Sequence, residues 1–424
     1  MAEEVESSFV DRLLGGRLFR NGDFVKLWVG QTISEAGSQV TALALPTLAI
    51  LVLNASPFQV GLLAALEFVP FPTLGLVAGV YADRIRRRPI MIASDIARML
   101  LIASIPIAFL LGFRSINHLY VVGLVVGVFN VFFGISYQAY LPALVNRSDL
   151  VEGNTKLEVS RSVAQLSGPA LAGYLIQAVG AVRCLWIDSA SFLVSAASLW
   201  FIHRPEPSPA PSSASGRSGF WVEMKEGIDV VFHNPTLWQI AGATATSNLG
   251  TGAFTVFLIF AYNILHLSPA TVGFIFAAGA LGSLIGAFSA GWWVRIFGVG
   301  PTLLFTLVVI GLATVVLPLS QYFFTVPFLV VQALTVGVLN PVYNITQVSL
   351  RQAITPDRVQ GRMNATMRTI VWGTIPIASV LAGIVGSAIG VVLAIYIFGA
   401  LSVFAGFWIL AGPIRLREQP QPVG

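Results

Sequence analysis

The sequence predicts an all-α membrane protein with twelve transmembrane helices, arranged as two six-helix bundles that repeat each other in parallel. Three observations predict this fold class. Apolar residues make up 56% of the 424 residues and charged residues only 10%, too few to cover a water-facing surface. Apolar stretches of about 20 residues, the length that crosses a hydrocarbon core, follow one another almost end to end. Short motifs recur at an offset of about 210 residues.

The composition also excludes several functional classes. With a mean hydropathy of +0.81, the chain is unlike a cytosolic enzyme or a nucleic-acid-binding protein. The single cysteine, Cys184, excludes intramolecular disulfides and cysteine-based zinc sites. The four histidines have no metal-binding spacing, and no P-loop pattern GxxxxGK[ST] is present. We therefore expect no metal site, no cofactor and no ATP-driven transport by this chain alone.

Twelve spans divide the chain into five regions. The approximate limits of the spans are 24–52, 57–81, 89–112, 117–144, 155–180, 182–202, 236–263, 269–295, 300–319, 324–350, 363–387 and 389–412. The predicted regions are an N-terminal tail (1–23), a first bundle (24–202), a linker (203–235), a second bundle (236–412) and a C-terminal tail (413–424). Each span is long enough to cross the bilayer as a helix.

The linker has two parts. Residues 203–219 are rich in Pro, Ser and Gly, so we expect them neither to span the membrane nor to pack. In residues 220–232 the apolar side chains fall broadly on one side of a helix, with acidic and basic residues between them. This pattern predicts a helix that lies at the membrane surface.

The distribution of basic residues predicts the orientation. With a cytoplasmic N-terminus, only Arg114 and Arg183 of the 24 Lys and Arg residues fall in outside loops, as the positive-inside rule requires. Both termini are then cytoplasmic. The excess of 24 basic over 19 acidic residues follows from topology, so the predicted partner is the lipid bilayer and not a nucleic acid. The first 23 residues lack an apolar run and are not expected to be a cleavable signal peptide.

Internal repeats predict how the spans are grouped. The pairs are S-P-F-Q-V-G (56–61) with S-P-A-T-V-G (268–273), GVFN (127–130) with GVLN (337–340), D-L-V-E-G (149–153) with D-R-V-Q-G (357–361), and LW (27–28) with LW (237–238). Because six spans return the chain to its starting side, the two halves have the same orientation. Parallel repeats of this kind are typical of transporters that enclose a cavity at the membrane midplane.

Acidic residues inside the spans are the candidate functional groups, because a charge in hydrocarbon costs at least about 2.5 kcal/mol. Glu35 lies mid-span beside Ser34, Ser38 and Gln39, a polar stripe that suits a cavity better than lipid. Glu67 lies in the second span, within L-E-F-V-P-F-P. We predict that these two residues carry the coupling proton or bind the substrate. The alternative is a buried acid satisfied by a neighbouring helix.

Two aspartates can be explained by nearby structural contacts as well as by a role in function. Asp188, near the outer end of the sixth span, is a third candidate for proton coupling or substrate binding. The alternative for Asp188 is a helix cap at the interface or an ion pair with Arg183. Asp95 stands three residues before Arg98, a spacing that favours an ion pair on one helix.

The residue types of the spans predict the kind of substrate. Few basic residues lie deep in the predicted bundle, and the chain has 29 phenylalanines. Aromatic walls with one or two carboxylates suit amphipathic or cationic small molecules, whereas a polyanion would require arginines at mid-depth.

The loop after the second span, G-V-Y-A-D-R-I-R-R-R-P at 79–89, resembles the cytoplasmic signature of the major facilitator superfamily. The matching residues are Gly79, Asp83, Arg84, Arg87 and Arg88. A different residue, Arg86, stands where the signature has glycine, and the second-half counterpart has Arg295 in the position of the aspartate. The resemblance implies a gate in which the aspartate latches the two halves, with one of the two latches degenerate. The alternative is that the arginines only set the orientation.

A second motif resembles the antiporter signature of the same superfamily. In S-G-P-A-L-A-G (167–173), Gly168, Pro169 and Gly173 match its Gly-Pro-x-x-x-Gly core. The resemblance implies a hinge used in antiport. The alternative is close helix packing, which small residues favour in membranes.

The stretch D-S-A-S-F-L-V-S-A (188–196) resembles one branch of the superfamily, the enterobactin-exporter-like and macrolide-efflux-like members. The resemblance covers residues 20–412. It implies a transporter, not an enzyme: a proton-coupled antiporter that exports drug-, macrolide- or siderophore-like molecules by rocker-switch alternating access. We expect a monomer in the bacterial inner membrane, with protons and a small molecule as partners. A proton symporter importing a nutrient, and a receptor or scaffold without transport, remain alternatives.

Overall fold

The computed structural model describes residues 17–75, 78, 85–206 and 217–416, whose regular structure is entirely helical. The α-helices are α1 (Gly22–Leu51), α2 (Pro57–Phe68), α3 (Arg87–Leu110), α4 (Ile116–Leu144), α5 (Leu150–Val179), α6 (Ala181–Trp200), α7 (Arg217–His233), α8 (Pro235–Gly250), α9 (Gly252–Ile259), α10 (Pro269–Phe297), α11 (Val299–Val315), α12 (Thr325–Ile354), α13 (Asp357–Ile389) and α14 (Val391–Leu410). The predicted all-α fold class is confirmed.

Most of these helices can cross a membrane. In the described part of the chain, ten helical segments are long and apolar enough, including α2 with its continuation to Gly75 and a joint segment, Pro235–Ile264, of α8, α9 and a turn of π-helix. Helices α1 and α5 have 30 residues each, which is ample length, but they carry more polar side chains. The total of twelve spans therefore stays a prediction for these two helices.

The internal repeat is visible in the loops. Asn54 and His266, 212 positions apart, both have positive φ angles, of 52° and 51°. Two residues later, Ser56 and Ser268 cap α2 and α10 by accepting a hydrogen bond from the backbone N–H three residues on, at 3.3 and 3.2 Å. The same local sequence thus starts the same helix in each half.

A second pair of turns repeats at an offset of 210. Gly180 is the single residue between α5 and α6, and Gly390 is the single residue between α13 and α14. Their φ angles of 87° and 95° lie in the region that only glycine adopts at little cost. One residue thus reverses the chain in both halves.

The helices form two compact units. Unit 1 contains α1 up to Leu48 and helices α3 to α6, and unit 2 contains the segment Ala49–Pro72, which includes α2, with helices α7 to α14. Unit 1 has a core around the buried residues Phe24, Met91 and Tyr140. The predicted domain limits follow chain order and place the second span with the first bundle, and they stay a prediction.

Glycines allow close helix contacts inside unit 2. A Cβ atom on Gly282 of α10 would lie 2.6 Å from the backbone oxygen of Leu334 on α12. On α13, a Cβ atom on Gly383 would lie 2.7 Å from the backbone oxygen of Pro57 on α2. Both helix pairs thus approach at backbone distance, as small residues permit in membrane proteins.

Candidate functional site

A buried arginine is the centre of the candidate site in unit 1. Arg98 of α3 is 5% exposed and Asp95, one turn earlier on the same helix, is fully buried. The Arg98 guanidinium donates hydrogen bonds to Asp95 Oδ1 and, at 2.9 Å, to Asn130 Oδ1 of α4. The predicted pair between Asp95 and Arg98 is confirmed.

Two aromatic rings hold the same guanidinium. Its central carbon lies 4.3 Å from the ring centroid of Phe133 on α4 and 4.3 Å from that of Phe192 on α6. Ring faces attract a cation most strongly where water is excluded. Arg98 is therefore fixed by three helices of one unit.

Asp188 of α6 is part of the same buried region. Its side chain accepts a hydrogen bond from the Ser191 hydroxyl at 3.1 Å, and the residue is 1% exposed. The carboxylate interacts electrostatically with Arg98. The predicted alternative of an ion pair with Arg183 is wrong for the described residues, because Asp188 lies two helical turns inside α6 and Arg183 is exposed.

Helix α1 packs closely over Asp188. A Cβ atom on Gly37 would lie 2.7 Å from Asp188 Oδ1, so only glycine allows α1 to approach. This contact brings α1 to the aspartate two residues after the candidate Glu35.

Glu35 has a weaker ion pair than the aspartates. Its Oε1 atom lies 3.8 Å from Nε of Arg161 on α5, and the two side chains are 26% and 58% exposed. Glu35 also interacts electrostatically with Arg98. The structure thus gives Glu35 a partner on a neighbouring helix, and its predicted role in coupling stays a prediction.

The charges of this region do not balance. Three carboxylates, those of Glu35, Asp95 and Asp188, lie around the guanidinium groups of Arg98 and Arg161, and the exposed Glu158 of α5 is a further acid that interacts with Glu35. Negative charge is therefore in excess among these groups. A proton or a cation must neutralise this charge whenever water is excluded.

Glu67 belongs to unit 2. It lies in α2, where its side chain is half-buried and makes no hydrogen bond or ion pair with another described residue. Two of the residues that follow it, Phe68 and Phe71, are aromatic. Its predicted role also stays a prediction.

Only part of the predicted gate motif can be placed. Gly79, Asp83 and Arg84 lie outside the described residues, so the latch stays a prediction. The Arg88 guanidinium donates hydrogen bonds to the backbone oxygens of Leu199, at 2.8 Å, and Trp200, at 2.5 Å. These bonds satisfy carbonyl groups at the C-terminus of α6.

Glu206, an acidic residue of the linker, binds to the start of α3 beside Arg88. The Glu206 carboxylate accepts hydrogen bonds from the backbone N–H groups of Arg87, at 2.7 Å, and Arg88, at 3.1 Å, and its side chain is 3% exposed. It caps the N-terminus of α3, where a negative charge is favourable. The expectation that residues 203–219 do not pack is therefore wrong for residues 203–206. Sequence reasoning missed Glu206 because a linker rich in proline and serine gives no sign of a cap.

Asp23 holds the same end of unit 1. Its carboxylate accepts hydrogen bonds from the Lys26 ammonium at 2.9 Å and from the backbone N–H groups of His203 and Arg204 at 3.1 and 2.9 Å. Burial raises the pKa of the Asp23 carboxyl, but these hydrogen bonds outweigh burial and lower the pKa below its ordinary value of 3.8.

The antiporter-like motif makes a helix contact. A Cβ atom on Gly168 would lie 2.6 Å from the side chain of Gln39 on α1, and Gly173 is buried in α5. Pro169 lies within the same continuous helix. The contact agrees with the packing alternative, and the antiport hinge stays a prediction.

Comparison with known proteins identifies the family. A family model described as a transmembrane secretion effector, MFS_3, matches residues 17–421, nearly the whole chain. The chain belongs to the major facilitator superfamily. As a member of this superfamily it is a multi-pass membrane transporter of small molecules and not an enzyme.

Several relatives of this superfamily member are exporters by name. The chain is 23% identical to the multidrug efflux pump Tap of Mycolicibacterium fortuitum over 385 residues, covering 88% of this chain and 91% of the pump. It is 24% identical to the enterobactin exporter EntS of Citrobacter koseri over 406 residues, covering 94% of each. It is 27% identical to the uncharacterised MFS-type transporter YfiS of Bacillus subtilis over 419 residues, covering 93% and 94%.

Solved structures show the same fold. A bacterial homologue of the human lysosomal transporter Spinster, in an inward-facing conformation, matches with a TM-score of 0.74 at 15% identity and covers 96% of this chain and 100% of that chain. A bacterial homologue of the iron transporter ferroportin matches with a TM-score of 0.73 at 17% identity, covering 92% and 98%. At these identities the likeness concerns the fold alone.

Proposed function

We propose that this transporter is a proton-coupled exporter of amphipathic or cationic small molecules. The observation that carries the proposal is the excess of carboxylates over arginines in unit 1, where Glu35, Asp95 and Asp188 lie around Arg98 and Arg161. A proton and a cationic substrate can neutralise this negative charge in turn. The site can therefore exchange a proton for a substrate molecule. The multidrug efflux pump and the enterobactin exporter among the relatives support export as the direction.

Glu35 is the acid that exchanges its proton in this proposal. Asp95 is fully buried and bonded to Arg98, whereas the Glu35 side chain is 26% exposed and 3.8 Å from an arginine that is itself exposed. A partly exposed carboxylate with a long ion pair can be protonated without breaking a buried hydrogen bond. Protonation then favours one facing of the transporter and substrate favours the other, in alternating access.

The oligomeric state, the membrane and the orientation of the protein are also part of the proposal. We propose a monomer in the bacterial inner membrane with both termini in the cytoplasm, which follows from the distribution of basic residues in the sequence. The substrate then leaves the cytoplasm while protons enter.

Transport in proteoliposomes tests this function. The purified full-length protein is reconstituted, an organic cation, ethidium, serves as the probe, and its movement is followed under a pH gradient of either sign. We expect ethidium to move against the proton gradient in the wild type. In Glu35→Gln the gradient should no longer drive movement, while ethidium binding remains. Asp229→Asn, an exposed acid on α7, is the matched control and should transport as the wild type does.

Three outcomes contradict the proposal. Movement indifferent to the gradient in the wild type excludes proton coupling. Movement in the same direction as the protons supports the symport alternative. Binding without any movement supports a receptor or scaffold.

A further inference from the structure

A cluster of aromatic rings joins α2 and α13 within unit 2. The ring centroids of Phe68 and Phe71 lie 5.3 Å apart, and those of Phe68 and Trp372 lie 6.0 Å apart. The two helices run antiparallel and touch at backbone distance near Gly61 and Gly383. The rings lie about 10 Å further along α2 than Gly61, at 1.5 Å per residue.

A cation already occupies one of these rings. The central guanidinium carbon of Arg368 lies 4.2 Å from the ring centroid of Trp372, one helical turn away on α13. The Arg368 side chain is exposed and forms no ion pair or hydrogen bond with another described residue. Among the described residues, the partner of the Arg368 guanidinium is therefore the face of the Trp372 ring.

A carboxylate lies next to two of these rings along the chain. Glu67 directly precedes Phe68 and stands four residues before Phe71, so that Glu67 and Phe71 share one side of the α2 segment. Its side chain is half-buried, with no hydrogen bond or ion pair to another described residue. Ring faces beside a carboxylate are the groups that bind organic cations in water-poor sites.

We infer that Phe68, Phe71 and Trp372 form a binding site for an organic monocation, and that the Arg368 guanidinium is a built-in competitor for it. Substrate displaces the guanidinium from the Trp372 ring, and the guanidinium returns when substrate leaves. The inference rests on the proposed function for the substrate class only. It assigns to Arg368 an effect on affinity that is opposite to that of the rings.

Binding of tetraphenylphosphonium to the detergent-purified full-length protein tests the inference, with equilibrium dialysis as the assay. Removal of the competitor in Arg368→Gln should lower Kd about two- to fivefold, which corresponds to the 0.5–1 kcal/mol of an exposed cation–π contact. Trp372→Leu should raise Kd, and Trp372→Phe, which keeps a ring face, should raise it less. Arg358→Gln, an exposed arginine ten residues earlier on α13, is the matched control and should leave Kd unchanged.

The double variant separates competition from simple charge repulsion. If Arg368 competes for the ring, Arg368→Gln should no longer lower Kd once Trp372 is leucine. A gain that persists in that background, or a wild-type protein that binds no tetraphenylphosphonium, overturns the inference. Size-exclusion profiles like that of the wild type verify that each variant is folded.

The two proposals can fail separately. Gradient-driven ethidium transport that survives while Arg368→Gln leaves Kd unchanged overturns the inference about the rings and leaves the proposed function intact. Ring-dependent binding of tetraphenylphosphonium without any gradient-driven transport overturns the proposed function and leaves the binding site.

Discussion

Removal of the Arg98 guanidinium should destabilise unit 1 more than any change at an exposed arginine. In Arg98→Met, a linear apolar side chain replaces the partner of Asp95, which is fully buried and has no access to water. Breaking a buried ion pair by removing one partner costs about 3–5 kcal/mol, because a charge is left uncompensated. The contacts with the rings of Phe133 and Phe192 are lost as well, so the upper part of that range is expected.

The free energy of unfolding in mixed dodecylmaltoside–SDS micelles measures this cost. Arg147→Met, an exposed arginine of the same unit, is the control and should change stability by less than about 0.5 kcal/mol. In Asp95→Asn the uncompensated acid is absent, so adding Arg98→Met to it should cost clearly less than in the wild type. A loss below about 1 kcal/mol in Arg98→Met, or strict additivity of the two changes, would refute the reasoning.

Three further predictions concern stability. Gly286→Ala should lower the free energy of unfolding by about 1–3 kcal/mol in the same assay, because its Cβ atom would lie 2.8 Å from the backbone carbon of Val338. Gly291→Ala on the same helix is the control: its Cβ atom meets nothing within 4 Å, so it should be neutral or slightly stabilising. Glu206→Ala should cost about 1 kcal/mol through loss of the α3 cap, and no loss would contradict that role. The lowered pKa of Asp23 stabilises the fold above about pH 4, and this contribution is lost as the pH falls through the folded-state pKa. Asp23→Asn should therefore flatten the decline in unfolding temperature below pH 4, and an unchanged decline would contradict it.

The sequence predicts helices well because their limits depend on local features. The predicted fourth span, 117–144, corresponds to α4, Ile116–Leu144, and the predicted sixth span, 182–202, corresponds to α6, Ala181–Trp200. Apolar length sets the extent of a span, and a residue such as Gly180, with its positive φ, ends one helix and starts the next. Both features can be recognised without any knowledge of tertiary contacts.

Side-chain partners are predictable only when they are close in sequence. The predicted pair of Asp95 and Arg98 is three residues apart on one helix. For Asp188, the basic residue close in sequence, Arg183, is only one of the alternatives that the sequence offers, and the structure places Asp188 with Arg98 of another helix. The contact of Glu206 with the start of α3 spans more than a hundred residues. Such partners depend on which helix faces pack together, and hydropathy alone does not determine this.

The acids of unit 1 differ in how easily their protonation can change. Asp95 and Arg98 satisfy each other within a buried site closed by two rings, so a change of protonation there must disrupt several contacts at once. Glu35 shares the same region but is partly exposed and has a long ion pair, so its charge can change while the buried pair persists. Arg98 is thus a fixed cation beside the Glu35 carboxylate, which can gain and lose a proton. Protonation of Glu35 therefore changes the electrostatic potential of the site while its structure is kept. This division predicts that Glu35→Gln changes transport at little cost in stability, whereas Arg98→Met changes stability first.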